Sequence, residues 1–199
     1  MKKINMNKLK GFTLVELITV IAIIGVLSAM IVPSVMKYVE YANNKADVVN
    51  ARRLYVILQE SMADASDNSI DYSNPWGNSA DEVDHGYVYV DDDEIRTSSI
   101  KIARILASQG IIEESALKNP NMRHGREPQF SKNKIHLNCK SKRTWDRYQV
   151  NFVLVDGEVV FSYSACRNGY NKDEKASKAF AEQIGGVAGS SEISLGGKS

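Results

Sequence analysis

The chain of 199 residues lacks the constellations by which most enzymes announce themselves. It has no glycine-rich phosphate loop, no serine elbow of the G-x-S-x-G kind and no HExxH, so catalysis is not expected and no cofactor is implied. Cysteine is scarce: Cys139 and Cys166 are the only two, too few for a disulfide scaffold. In an oxidising compartment, a single bridge closing a loop of that size would still add about 3 kcal/mol. Acid is missing from the first ten residues, which carry Lys2, Lys3, Lys8 and Lys10. Removal of residues 1–11 takes the net charge from +1 to −3, so the remaining chain is mildly acidic and its overall charge gives no nucleic-acid signature. With 43% hydrophobic residues, the length suits one modest globular domain plus one long accessory element.

What is present begins at Phe12. From there to Met36 the sequence FTLVELITVIAIIGVLSAMIVPSVM is apolar on every helical face apart from Glu16 and a few hydroxyls. About 20 such residues cross a bilayer as a helix, and the lysines ahead of them place the leader on the cytoplasmic side. The run does not end at a small-residue cleavage site as a secretory signal does, so it is expected to stay with the protein. Glu16 is costly in hydrocarbon and calls for a partner, although a carboxylate near the interface also snorkels or protonates. Pro33 cannot donate a backbone hydrogen bond and should kink or locally open the helix, with Gly25 a second weak point.

The stretch Lys10-Gly11-Phe12-Thr13-Leu14-Val15-Glu16 resembles the cleavage motif of type IV prepilins: a basic leader ending in Gly, then Phe, then Glu four residues later. The resemblance to the type IV pilin and pseudopilin family covers about residues 1–40. It implies that a prepilin peptidase cuts between Gly11 and Phe12 and methylates the new Phe12 amine. It further implies that Glu16 neutralises the Phe12 ammonium of a neighbouring subunit as the helices bundle, since both charges are costly alone in an apolar bundle and tolerable as a pair. In resembling pilins, a proline near position 33 lets the helix stretch during assembly.

Beyond Pro33, Val48, Ala51, Leu54, Tyr55, Leu58 and Met62 recur at helical spacing, with Lys45, Asp47, Arg52 and Gln59 elsewhere. One helix from about Phe12 to Ala65 is therefore expected to leave the membrane and pack one face on a soluble domain. It should end near Asp67-Asn68, with Asn74-Pro75-Trp76-Gly77-Asn78 a turn cluster. Gly86–Val90 reads as a strand, and Ser98 or Thr97 as the cap of a short helix burying Ile102, Ile105 and Leu106 and ending at Gly110. Tyr148–Val155 and Glu158–Tyr163 flank Asp156-Gly157, a strong hairpin signal. Asn171 with Glu174 resembles a capping pair for a late helix bearing Ala176, Phe180 and Ile184, and from Gly185 the chain reads as a flexible tail. The expected organisation is a cleaved leader at 1–11, a transmembrane and filament-core helix at 12–36, an amphipathic helix and head at 37–184, and the tail at 185–199. The fold class is α+β. The resemblance makes it pilin-like: a long N-terminal helix on an antiparallel sheet.

Cys139 and Cys166 bracket the hairpin, and a disulfide between them is expected, with two buried free thiols as the alternative. His124, His136 and the two cysteines match no strong zinc template. Every charged side chain from Asp64 to Glu94 is acidic, whereas Lys118 to Arg147 is dominated by Lys and Arg. Such blocks are usually solvated faces or pair with one another. The sharper alternatives are a calcium site at Asp91, Asp92, Asp93 and Glu94, and a DNA-contact surface in which Arg143, Trp145, Arg147 and Tyr148 combine phosphate contact with stacking.

The function implied by the resemblance is that of a structural subunit of a type IV pilus, serving adhesion, motility or DNA uptake. The alternatives are a pseudopilin of a secretion or competence machine, a minor tip-located binding subunit, or a plain single-span anchored protein. Its partners would be copies of itself and other pilins, the peptidase, the assembly machinery and, before assembly, the cytoplasmic membrane. The filament would stand at the cell surface.

Overall fold

Thr13 and Glu16 open the long helix, in a computed structural model that describes residues 12–63, 85–123, 127–155, 158–167 and 173–189. The Glu16 carboxylate accepts from the Thr13 backbone N–H at 2.8 Å and from its hydroxyl at 2.9 Å, while the Glu16 N–H donates to Thr13 Oγ1 at 3.2 Å. This reciprocal capping box satisfies groups that the first helical turn leaves without partners. The helix α1 then runs through Leu14–Ala63 and continues past Pro33 without a break. Its expected end near Asp67-Asn68, the Asn74–Asn78 turn, Gly11 and His124 lie outside the described residues.

Two compact units divide the chain, Met1–Val39 and Glu40–Ser199. In the second, β1 (His85–Val90), β2 (Glu94–Thr97), β3 (Asn121–Arg123), β4 (Glu127–Ser131), β5 (Arg147–Val155) and β6 (Glu158–Cys166) form one antiparallel sheet. Its order is β3-β4-β2-β1-β5-β6. The β5–β6 hairpin closes with Val155 opposite Glu158, the register that a two-residue Asp-Gly turn dictates; the turn itself lies outside the described residues.

Alternation along the strands places Val88, Val90, Ile95, Phe130, Tyr148, Val150 and Phe152 in a core completed by Val48, Ala51, Leu54, Ile57 and Leu58 of α1. The helix α2 (Ile100–Ser108) buries Ile102, Ala103 and Leu106, with Ile105 partly buried. Its cap is Ser99, whose side chain accepts from the Ile102 N–H, in place of the expected Ser98 or Thr97. Gly110 follows it at φ +68, a conformation that favours glycine.

The helix α3 (Glu174–Ile184) buries Ala176, Phe180 and Ile184 and ends at Gly185 in the left-handed region, φ +79. Its cap is Asp173, whose carboxylate accepts from the Ala176 N–H at 2.9 Å, while Asn171 of the expected capping pair lies outside the described residues. The stretch expected to be tail from Gly185 begins with bonded residues. Tyr163 N–H donates to Val187 O and Gly189 N–H to Tyr163 O, so the backbone there docks along β6.

Candidate functional site

The N-terminal half of α1 and the face that follows it carry the features with functional meaning. Fifteen large apolar side chains between Phe12 and Val35 are at least 50% exposed, and Phe12 itself is 93% exposed. Each is worth about 1.5–3 kcal/mol on leaving water, a total of tens of kcal/mol that a soluble environment would forfeit. By length and composition this helix can cross a membrane, with a mean hydropathy of 2.6 over its most apolar window. Glu16 is the only charged side chain from Phe12 to Met36. Within one chain its carboxylate serves the helix cap, a role that the Thr13-x-x-Glu16 spacing signals and that attention to intersubunit pairing passes over. A carboxylate has about four lone-pair positions, so the cap leaves room for an ammonium partner.

The second feature is polar. Glu40, Asn44 and Asp47 fall on one face of α1 at spacings of four and three, and all three face the loop 139–146 that leads into β5. Glu40 accepts from the backbone N–H of Thr144 at 2.8 Å, Arg143 at 2.9 Å and Lys142 at 3.4 Å, and from the hydroxyls of Ser141 at 2.7 Å and Thr144 at 3.1 Å. Asn44 donates to Thr144 Oγ1 at 2.8 Å. Asp47, fully buried, accepts from Lys140 N–H at 2.7 Å, Ser141 N–H at 2.9 Å, the Trp145 indole at 2.9 Å and the Cys139 thiol at 3.3 Å.

Burial works to raise the Glu40 pKa, but the Ser141 hydroxyl and the three loop amides outweigh it and leave it lowered. At Asp47 the balance falls the other way: burial raises the pKa against the opposing Ser141 and Lys140 amides, the indole and the thiol. Helical periodicity alone places Asp47 among the solvent-facing residues, and that placement is corrected here. The buried face of α1 begins with polar side chains, Asn44 and then Asp47, because a loop of polar partners, not an apolar surface, covers it.

Cys139 and Cys166 are both buried and both free, which corrects the expected disulfide. The Cys139 thiol turns toward Asp47, where burial first and the adjacent carboxylate second hold it firmly protonated and therefore a donor. Cys166 ends β6 opposite Arg147, and burial pushes its thiol up to about 11.

The acidic turn after β1 does not converge on a cation. Asp91 Oδ1 accepts from the Asp93 and Glu94 N–H groups and its Oδ2 from the Tyr89 hydroxyl. Asp92 pairs with Lys142 at 2.6 Å and Asp93 with Lys132 at 3.2 Å, while the Gln129 amide donates to Glu94. The four carboxylates point to separate partners, so the calcium reading is corrected. Among the described residues, no three His, Cys, Asp or Glu side chains group as a metal site.

The DNA-contact reading also fails in its stacking half. Trp145 and Tyr148 are fully buried, packed on Phe180 with ring centroids 4.9 and 5.0 Å away. Lysines of the basic block instead meet the acidic turn and Glu113.

Comparison with known proteins agrees with the N-terminal motif. The family model for the prokaryotic N-terminal methylation motif matches residues 6–32. The type IV major pilin protein PilA of Myxococcus xanthus (strain DK1622) is 35% identical over 68 residues, covering 34% of this chain and 30% of that protein. A fimbrial protein of Moraxella nonliquefaciens is 38% identical over 79 residues, covering 40% of this chain and 49% of its own length. The chain thus spans less than half of either curated relative it matches. No solved structure matches it. By this motif and these relatives, the chain is similar to type IV pilins over part of its length.

Proposed function

We propose that the protein is a structural, non-catalytic subunit that starts as a membrane-anchored precursor and assembles through residues 12–36 into a surface filament of pilins. The observation that carries this reading is the fifteen-residue apolar exposure along an unbroken helix, in a chain bearing the methylation motif. Lipid covers such a surface before assembly, and the equivalent helices of neighbouring copies cover it afterwards. A prepilin peptidase cuts between Gly11 and Phe12 and methylates Phe12, and the assembly machinery extracts the product. Glu16 then meets the Phe12 ammonium of a neighbour, which removes two uncompensated charges from an apolar bundle at once.

Intact mass spectrometry of sheared surface filaments and of membranes tests the reading. A chain beginning at Phe12 with one added methyl, abundant in the sheared fraction, supports a pilus subunit. Processed protein confined to membranes favours a pseudopilin or a rare tip subunit, and an uncut Met1 form in a processing-competent cell overturns the assignment. Glu16→Ala should leave insertion and folding intact while reducing assembly at least several-fold; filament yield equal to that of the unaltered chain rules out the pairing.

A further inference from the structure

In the function proposed above, a bilayer covers residues 12–36 before assembly. Glu40 follows Met36 by four residues, at most about 14 Å of chain. Whatever is bound to Glu40 is therefore held close to the point where the chain leaves the membrane, and what is bound there is the loop 139–146. Glu40 accepts from the N–H groups of Thr144 at 2.8 Å and Arg143 at 2.9 Å and from the Ser141 hydroxyl at 2.7 Å. Asp47 accepts from the Lys140 N–H at 2.7 Å. Cys139 N–H donates to Asp91 O at 2.8 Å and Asp146 N–H to Cys166 O at 2.9 Å, so both ends of the loop are tied to the sheet.

Backbone and hydroxyl groups make the bonds to Glu40, while Lys140, Lys142 and Arg143 of the same loop are exposed. The acids nearby are engaged elsewhere: Asp91 accepts from the Asp93 and Glu94 N–H groups, and Asp93 pairs with Lys132. Asp92 takes Lys142 at 2.6 Å, yet 51% of the Lys142 side chain stays exposed, open to a second anion. On α1, Tyr41 is 59% exposed and the Lys45 ammonium stands over its ring at 5.4 Å. An exposed tyrosine beside cations suits a membrane–water boundary, where the ring lies at headgroup level with its hydroxyl in water. Cations beside a span ordinarily gather on its cytoplasmic side, where the leader lysines are expected. A basic loop at the other mouth calls for an anion there, and phosphates of a bilayer surface lie at that depth.

We propose that Lys45, Lys140, Lys142 and Arg143, with Tyr41, form a footprint for anionic phospholipid headgroups on the outer face of the cytoplasmic membrane. The proposal rests on the membrane-anchored reading of the precursor. The footprint enriches anionic lipid around the mouth of the helix, and the strength of that enrichment falls with salt. Extraction of a subunit into a filament breaks these contacts, so lipid charge tunes how readily a subunit leaves the membrane.

The test reconstitutes the full chain in vesicles of phosphatidylcholine alone and of phosphatidylcholine with about 30% phosphatidylglycerol. Lysine labelling by a water-soluble amine reagent is read by mass spectrometry, with the exposed Lys118 as internal reference. Relative to Lys118, Lys45, Lys140 and Lys142 should label about threefold or more slowly in the anionic vesicles, and the difference should vanish in about 1 M salt. Equal labelling in the two vesicle types at low salt overturns the footprint. Equal protection by inorganic phosphate in phosphatidylcholine vesicles also overturns it, since the partner is then a free anion. Resistance to alkaline extraction is read alongside: a chain extracted from both vesicle types overturns the membrane-anchored reading itself, whereas an inserted chain with equal labelling overturns the footprint alone. Lys140→Gln with Lys142→Gln keeps the backbone bonds to Glu40 and Asp47. In that variant, phosphatidylglycerol retained after mild detergent extraction should fall about threefold or more, and unchanged retention counts against the proposal.

Discussion

The two halves of α1 are one helix written for two environments. From Leu14 to Val39 apolar residues surround the axis and remain exposed, with one carboxylate that caps its own helix. From Glu40 to Ala63 one face is buried and it includes polar side chains: Asp47 is at 0% exposure, as are Ala51, Leu54 and Leu58. The first half has side chains in need of an environment, and the second carries its environment with it. What separates them is the source of satisfaction. In the function proposed above, lipid or neighbouring helices satisfy the first from outside, whereas a loop of the same chain satisfies the second from within.

The sharpest way to break the comparison is at Asp47. Asp47→Ala leaves the Lys140 and Ser141 amides and the Trp145 indole buried without an acceptor, and should destabilise the head by about 3–5 kcal/mol. Membrane insertion should be unchanged, because the apolar half does not depend on that site. Denaturant titration of the full chain in detergent, beside fractionation of cells, reads both. Loss of insertion together with loss of head stability would mean that the halves are not independent.

Glu40→Gln should cost about 1–2 kcal/mol at neutral pH, because one amide nitrogen would face loop donors. Its sign with pH also follows. The folded pKa of Glu40 is lowered, so its contribution is complete above the ordinary carboxylate range and fades as pH falls through the lowered value. Asp47, with a raised folded pKa, acts in the opposite sense and loses contribution as pH rises from the ordinary carboxylate range through its raised value. The difference between the unaltered chain and Glu40→Gln isolates the first effect: it should shrink toward zero as the solution is acidified. A difference that grows on acidification would contradict the assigned direction.

The thiols sharpen the contrast on the head side. Cys139→Ala and Cys166→Ala should each cost about 1 kcal/mol and add in the double variant, because each fills its own buried site. A bridge would instead make either substitution as costly as both, about 2–5 kcal/mol, and would make stability sensitive to reductant. Denaturant midpoints of the four proteins, with and without reductant, distinguish these cases.

Much of the fold was legible where one period or one turn chemistry governs. The hairpin register followed from Asp-Gly between β-rich runs, α3 from Ala176, Phe180 and Ile184, and the end of α2 from Gly110. The N-terminal motif was legible because leader charge, Gly11, Phe12, Glu16 and the apolar run coincide. What stayed hidden depended on contacts about a hundred residues apart. Asp47 reads as a solvent-facing residue until the backbone donors of Lys140 and Ser141 are brought to it. Trp145 and Tyr148 read as a stacking surface because aromatic residues among cations look alike whether the rings point outward or pack on Phe180. Cysteine positions in sequence do not report which way each thiol turns.

The smallest expected effect is the most demanding check. Pro33→Ala restores a donor for the Ala29 carbonyl and relieves a local helix cost of about 3 kcal/mol, so the apolar half should become stiffer. The head should not register the change. Residue 33 lies in the first unit, ahead of the polar face at Glu40, and head stability should stay within about 0.5 kcal/mol of the unaltered value. Any effect should appear in assembly, where a subunit whose helix resists stretching enters the filament less readily. A head midpoint shifted by more than that amount would mean that strain at Pro33 passes beyond Glu40, and the boundary drawn through α1 would have to move toward Val48.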